Sequence, residues 1–244
     1  LGDVYKRQLY ESAVAFGCFQ NQLSDFPADT LHETIKDFHN TPDRYRKFHL
    51  ALEADALGRA AGVREEIDFA LKREAAAGAL QALREDGSLP LRVTHNDTKL
   101  NNVMLDAKTR KALCVIDLDT VMPGLAAYDF GDSIRFGAAT AAEDEKNLDK
   151  MGLDMSLYET YARGYLHSCR SLTALEKETL PLGAKLMTLE CGLRFLTDYL
   201  EGDRYFAIAR PEHNLDRART QFRLVADMEK KWDRMRALIA RSAE

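Results

Sequence analysis

Four polar side chains near the middle of the sequence have the types and spacing needed for proton transfer and metal binding. His95, Asp97 and Asn102 lie close together, and Asp117 follows them. The intervening runs NNVMLD and ALCVIDLD, joined by AKTRK, predict a β-hairpin. Antiparallel partners lie about 5 Å apart, so this hairpin would bring Asn102 beside Asp117.

A carboxylate beside an amide oxygen suits Mg²⁺. This ion prefers oxygen ligands and retains several waters, so one or two protein ligands are enough. Asp97 lies five residues before Asn102, on a loop that faces the same space, where a carboxylate can accept a proton from a substrate hydroxyl. The pattern therefore predicts Asn102 and Asp117 as metal ligands and Asp97 as a base. The structural alternative is a loop followed by an Asp-capped turn.

The regions on both sides of the hairpin have helical patterns. LRVTH predicts a short strand, Pro123-Gly124 a turn, and YDFGDSIRFG a loop leading into a helix. The fold class is predicted to be mostly α with a small central β-hairpin. Helices are predicted to begin at residue 9 and at residues 41–42, and to cover 63–84, 157–170, 174–200 and 215–243.

Composition excludes several classes of protein. The chain has 244 residues, 45% of them hydrophobic and 30% charged, which is typical of a globular protein. A net charge of −5 provides no positive field for nucleic acid or for an anionic membrane surface. No apolar run approaches the roughly 18 residues of a membrane span. The four cysteines have no CxxC spacing, which predicts reduced thiols and a cytoplasmic location.

The order H-x-D-x-x-x-x-N, followed by a strand that ends in Asp, is the catalytic-loop spacing of the protein-kinase fold. Asn96 replaces the Arg of protein kinases, and no APE segment follows, which argues against a protein substrate. In this form the region resembles the aminoglycoside phosphotransferase and choline kinase family. The segments THNDTKLNNVMLD, VIDLDTVMPGLAAYDFGDSIRFGA and ECGLRFLTDYLEGDRYF resemble the bacterial N-acetylhexosamine 1-kinases.

This resemblance implies ATP- and Mg²⁺-dependent phosphorylation of the anomeric hydroxyl of an N-acetylhexosamine. It also implies that residues 9–244 form the C-terminal lobe of the protein-kinase-like fold, with the catalytic loop at 94–106 and the metal-binding strand end at 113–119. The implied roles are Asp97 as base, His95 as support for the loop, Asn102 and Asp117 as metal ligands, and Arg194 and Tyr205 as sugar contacts.

Several residues keep alternative interpretations. Arg194 is as well placed to pair with Glu190 on the same helix face, and Tyr205 to pack under the last helix. Lys99 is either a phosphate ligand or a solvated lysine, and Asp119 either braces the loop or assists the metal. The histidines outside the motif have no ligand spacing and receive no role: His32, His39, His49, His167 and His213.

The literal Asp129-Phe130-Gly131 is not expected to bind the metal, because no strand is predicted to deliver it. Asp129 is instead expected to bond the catalytic loop. Three alternative functions remain open. The protein could be a kinase for another acceptor (choline, homoserine or an aminoglycoside), a metal-dependent phosphohydrolase or a non-catalytic binding module.

The nucleotide clamp of the kinase fold is not recognisable in the sequence. No glycine-rich phosphate loop and no strand lysine precede Asp97. Residues 1–8 lack periodicity and are expected to be a non-native scar. We therefore expect that an N-terminal lobe is missing and that the fragment is inactive. We also expect an exposed apolar patch where that lobe would dock.

Overall fold

The computed structural model describes residues 2–242, most of them helical. The strands are β1 (Arg92–Thr94), β2 (Val103–Leu105), β3 (Ala112–Val115) and β4 (Met122–Gly124). The predicted mostly α class is confirmed. The helices are α1 (Gly2–Gln22), α2 (Thr41–Ala54), α3 (Arg64–Leu71), α4 (Ala79–Glu85), α5 (Ala126–Gly137), α6 (Met155–Ser168), α7 (Ala174–Glu201), α8 (His213–Lys230) and α9 (Trp232–Ser242).

The strands form two separate antiparallel pairs. The predicted hairpin is present as β2 and β3, with Val103 opposite Val115. A second pair joins β1 to β4, with Thr94 opposite Met122. The prediction of a turn at Pro123-Gly124 was therefore wrong. These residues belong to β4, a strand with a single partner, where a proline without an N–H is tolerated.

Several helix predictions differ from the structure, and YDFGD, predicted as a loop, lies within α5. Residues 2–8, which lack periodicity, form the first turns of α1, where the Tyr5 hydroxyl donates to the Gly137 carbonyl at 2.9 Å. The predicted 63–84 helix is divided into α3, a short 3₁₀ turn and α4. The Arg73 guanidinium, just beyond α3, donates to the Phe69 carbonyl and to Glu229. The predicted 215–243 helix is divided at Lys231.

The apolar core consists of two clusters joined by α5, α7 and α8. The first packs α1, α6 and α9 around residues such as Phe16 and Phe130. The second packs α2 and α8 around residues such as Phe48 and Leu193. Because α5 and α7 contribute side chains to both clusters, their mutual position determines how the two halves fit together.

The helices α5 and α7 touch through their backbones. A Cβ atom on Gly131 would lie 2.4 Å from the Gly183 carbonyl oxygen, and one on Gly183 would lie 2.1 Å from the Ala127 oxygen. Only glycine permits an approach this close. The glycine of the literal Asp129-Phe130-Gly131 is therefore a packing residue.

The sequence predicted no membrane span and reduced cysteine thiols, and the structure bears on both predictions. No helix among residues 2–242 combines the length and apolar character needed to cross a bilayer. The four cysteines all lie in the described part of the chain, and all are free. Cys169 is buried, whereas Cys114 on β3 is exposed.

We expect Gly131→Ala to destabilise the protein by about 1–3 kcal/mol, because the added methyl group must separate two packed helices. Urea denaturation would measure this loss. Gly62→Ala is the matched control, since a Cβ at Gly62 meets nothing within 4 Å. Equal unfolding free energies for the two variants would contradict the backbone contact.

Candidate active site

The β1–β2 loop (residues 95–102) is held by a buried carboxylate on the first turn of α5. Asp129 Oδ2 accepts the His95 N–H at 3.0 Å, and Oδ1 accepts the Asn96 N–H at 2.8 Å. Gln20 Nε2 also donates to Oδ2, at 2.8 Å. Burial raises the pKa of Asp129, and the two backbone N–H groups oppose that shift. Since every partner is a donor, the carboxylate acts as the acceptor that shapes the loop, which confirms the expected structural role.

The next turn of α5 holds the following part of the loop. The Thr98 N–H donates to Asp132 Oδ2 at 3.0 Å, and Ser133 Oγ donates to the Thr98 carbonyl at 2.7 Å. Arg135 donates from Nε and Nη2 to the other Asp132 oxygen. The loop is thus fixed to α5 at three residues, His95, Asn96 and Thr98.

His95 links the loop to the end of the hairpin. Its Nε2 lies 2.9 Å from the Ile116 carbonyl oxygen, and its Nδ1 lies 3.3 Å from the Asp97 N–H nitrogen. A carbonyl only accepts and an N–H only donates, so the ring proton is on Nε2. The edge of the Phe16 ring packs on the imidazole, with centroids 5.4 Å apart. His95 therefore occupies the place where the sequence predicted a loop support.

Asp97 and Asn102 are in direct contact. Asn102 Nδ2 donates to the Asp97 carbonyl oxygen at 2.7 Å and to Asp97 Oδ2 at 2.9 Å. Lys99 Nζ is 2.8 Å from the same Oδ2. The Asp97 side chain is 28% exposed, so a substrate can approach its carboxylate. Both contacts of Asn102 use its amide nitrogen, which leaves Oδ1 without a donor among the described residues.

Asp117 follows β3 in a left-handed conformation, with φ 63°. Its side chain is exposed and has no hydrogen-bond partner in the described range 2–242. The Ile116 N–H donates to the Asn102 carbonyl at 2.9 Å, so Asp117 lies one residue beyond the position opposite Asn102. The side chain of Asp119 is likewise exposed.

The two free oxygen groups at this hairpin end fit Mg²⁺. No set of three or more His, Cys, Asp or Glu residues converges within residues 2–242. Mg²⁺ takes most of its ligands from water and substrate phosphates, so one or two protein ligands are enough for it. Asn102 Oδ1 and the Asp117 carboxylate are the groups available to it.

A cavity of about 340 Å³ contains both predicted sugar contacts, Arg194 and Tyr205. The Arg194 Cζ lies 5.9 Å from the Tyr205 ring centroid and 5.3 Å from that of Phe206. Tyr205 is 73% exposed, so it does not pack under the last helix. No Arg194–Glu190 salt bridge forms, because Glu190 binds His39 and Thr41. We refer to this space as the acceptor cavity.

Asp198 orders the turn that carries Tyr205. Its carboxylate accepts the N–H groups of Arg204, Tyr205 and Phe206 at 2.8–3.0 Å, together with Asn214 Nδ2 at 2.9 Å. A second cavity of about 310 Å³ is lined by Asn96 of the β1–β2 loop. Ile35 and Phe38 line both cavities, so the acceptor cavity adjoins the cavity that Asn96 of the loop lines.

The sequence matches the family model described as phosphotransferase enzyme family over residues 4–177. The chain belongs to this phosphotransferase family. The match includes the β1–β2 loop, the hairpin and α5, and it ends in the first turn of α7. It supports the predicted relationship to aminoglycoside phosphotransferases and choline kinases. Arg194 and Tyr205 lie beyond the matched region.

Sequence reasoning missed several residues that build the phosphotransferase site. Asp132 and Ser133 support the loop, and the Thr120 hydroxyl donates to the His95 carbonyl at 2.7 Å. Two acids three residues apart in YDFGD share one helix face, a signal that would have found Asp132. Nothing local indicates Gln20, which reaches Asp129 across 109 residues.

We expect Asp129→Asn to lower the unfolding free energy of the phosphotransferase by about 1–3 kcal/mol, because its amide nitrogen cannot accept one of the buried N–H groups. Hydrogen exchange at His95 and Asn96 should accelerate in parallel. Asp149→Asn is the control, since Asp149 is exposed and its side chain has no partner among residues 2–242. Unchanged exchange at both amides would exclude the assigned role.

Proposed function

We propose that this phosphotransferase transfers the γ-phosphoryl group of ATP to the anomeric hydroxyl of an N-acetylhexosamine. The observation that carries the proposal is the presence of Arg194 and Tyr205 in one cavity, which shares Ile35 and Phe38 with the neighbouring cavity that Asn96 of the β1–β2 loop lines. A guanidinium fork beside an aromatic ring is suited to the hydroxyls and the apolar face of a pyranose.

Asp97 is the proposed base. Its partly exposed carboxylate accepts the proton of the sugar hydroxyl as that oxygen attacks the γ-phosphorus, the bond to the β–γ bridging oxygen breaks and ADP leaves. Asn102 keeps the carboxylate in place. Asn102 Oδ1 and Asp117 would hold Mg²⁺, which when bound neutralises phosphate charge. Catalysis of this kind depends mainly on positioning, which explains why so many contacts hold the loop.

The charge of the acceptor cavity favours a neutral acceptor. Choline and aminoglycosides are cations and would be repelled by an excess of basic side chains. Of the two acids that line the cavity, Asp198 is already occupied by backbone N–H groups. The basic residues are Lys36, Arg44, Lys47 and Arg194.

An ATP-clamping lobe is part of the proposal. The only strand before Asp97 in the described range is β1, which carries no lysine. We propose that such a lobe docks on the apolar side chains on and after the β2–β3 hairpin, which are 37–62% exposed: Met104, Leu113, Ile116 and Leu118. We therefore expect almost no turnover by the 244-residue chain alone and measurable turnover when such a lobe is supplied.

An acceptor screen tests the proposed activity. ATP-dependent phosphorylation would be measured with N-acetylhexosamines, choline, homoserine and aminoglycosides, with and without the clamping lobe. We expect product only with the N-acetylhexosamines, phosphorylated at the anomeric oxygen. Release of phosphate from sugar phosphates without nucleotide would instead indicate a phosphohydrolase.

Replacing Asp97 with Asn should lower kcat by about 10²–10⁴-fold, because the amide cannot accept the proton. ATP affinity should be nearly unchanged, as measured by calorimetry with Mg·ATP. Asp117→Ala should show the reverse pattern and weaken Mg·ATP binding. A loss of ATP affinity in Asp97→Asn would mean that Asp97 is a metal ligand and not the base.

Arg194→Ala should raise the KM of the sugar by about 10–100-fold, the effect of losing one or two charged hydrogen bonds. The KM of ATP should not change, because Arg194 lies in the acceptor cavity. Arg234→Ala on α9 is the matched control, since Arg234 is exposed and has no partner in the described range. Equal sugar KM values for both variants would remove Arg194 from the site.

A further inference from the structure

A buried histidine outside the proposed chemistry contacts the backbone of the base. His39 lies just before α2, and only 10% of its side chain is exposed. Its Nδ1 is 3.0 Å from Glu190 Oε1 on α7, and its Nε2 is 3.2 Å from the Asn96 carbonyl oxygen. His39 therefore bridges α7 and the β1–β2 loop.

Both partners of His39 are acceptors. A carbonyl oxygen cannot donate, and Glu190 Oε2 already accepts the Thr41 hydroxyl at 2.7 Å. With Glu190 ionised, an imidazole that bonds acceptors at both nitrogens carries two protons. The arrangement is therefore that of an imidazolium–carboxylate pair with a second N–H directed at the loop.

The electrostatics agree with this assignment. Burial acts to lower the pKa of His39, but the hydrogen bond and charge of Glu190 outweigh it, and the pKa is raised. Burial acts to raise the pKa of Glu190, but the hydrogen bond and charge of His39, with Thr41 and Arg194, lower it.

The carbonyl that His39 contacts belongs to the peptide group that precedes the base. The Asn96 C=O and the Asp97 N–H lie in one rigid plane. His39 Nε2 holds the oxygen end at 3.2 Å, and His95 Nδ1 holds the N–H end at 3.3 Å. Rotation of this plane would redirect the Asp97 side chain, and it requires the loss of both contacts.

We propose that His39, charged and held by Glu190, is a positioning residue for Asp97 that acts through the Asn96 carbonyl. The inference rests on the proposed role of Asp97 as the base. His39 does not touch the reacting atoms. Its protonation state sets the orientation of the peptide, because loss of the second proton leaves a lone pair facing the Asn96 oxygen.

Several charged or titratable groups surround the His39–Glu190 pair. The Asp132 charge on α5 also acts to raise the pKa of His39. Burial raises the pKa of Tyr128, so its hydroxyl stays neutral in the range of interest. The other groups facing the pair from neighbouring elements are Glu33, Asp37, Arg44, Arg84, Glu85 and Arg194.

The pKa shifts of His39 and Glu190 define the pH range in which both side chains are charged. The raised pKa of His39 means that its contribution is complete below the ordinary histidine value and is lost as pH rises through the raised value. The lowered pKa of Glu190 means that its contribution is lost only as pH falls through that lowered value. The contact with Asn96 is thus complete below the ordinary histidine pKa and is lost as pH rises through the raised pKa of His39.

Nuclear magnetic resonance on the ¹⁵N-labelled 244-residue chain tests the inference without requiring turnover. We would follow the His39 ring nitrogens and the Asp97 amide from about pH 6 to about pH 10. Both ring nitrogens should be protonated at the lower end, and the Asp97 amide should shift with the same midpoint as His39. Because this measurement uses the unaltered chain, it does not depend on a variant that folds.

Two matched variants separate positioning from general stability. Glu190→Gln should move both midpoints to lower pH, because the charge that favours the imidazolium is removed. Glu74→Gln should move neither, since Glu74 pairs with the half-exposed His49, at 2.9 Å. In the turnover assay, His39→Gln should lower kcat by about tenfold or more with little change in the KM of ATP.

A His39 ring with one proton at neutral pH, or an Asp97 amide that ignores the His39 titration, would overturn the inference. A different result would contradict the proposed function. If Asp97→Asn retained full turnover while the coupled titration persisted, the assignment of the base would be wrong. The contact between His39 and the loop would still stand.

Discussion

The loop that carries the proposed base depends on one buried carboxylate. Asp129 binds two consecutive backbone N–H groups, those of His95 and Asn96. Consecutive N–H groups point to one acceptor only when the chain turns sharply, and Asn96 supplies this turn with a φ of 64°. Without the carboxylate, two buried N–H donors would be unsatisfied, and the turn would be destabilised.

The helix that bears Asp129 takes its own position from α7. The backbone contact between Gly131 and Gly183 fixes α5, and the far half of α7 supplies the remaining parts of the site. Glu190, Arg194 and Asp198 are spaced four residues apart, so they lie on one face of α7. Glu190 holds His39, and Arg194 lines the acceptor cavity. Asp198 accepts backbone N–H groups of the turn that carries Tyr205.

Sequence reasoning succeeded where the determinants were local. The loop spacing, the β2–β3 hairpin and the structural role of Asp129 were predicted from residues within a short span. The β1–β4 pair, Gln20 and His39 were missed, because each depends on partners distant in the chain. His39 has no ligand spacing with any other histidine, and its two partners lie 57 and 151 residues away. Residues 2–8 were missed as helix because contacts such as that of Tyr5 with Gly137 are tertiary.

Asn96 orders the loop before any substrate arrives. A left-handed backbone costs a non-glycine residue about 1 kcal/mol or more. Here the side-chain amide of Asn96 offsets that cost by donating from Nδ2 to the carbonyl oxygens of Thr94 and Thr120. The conformational entropy of the loop is therefore lost during folding. Substrates that bind later need not order it again, and their binding free energy remains available for alignment. A change that frees this loop would impose an entropic penalty on every turnover, even with all reacting groups intact.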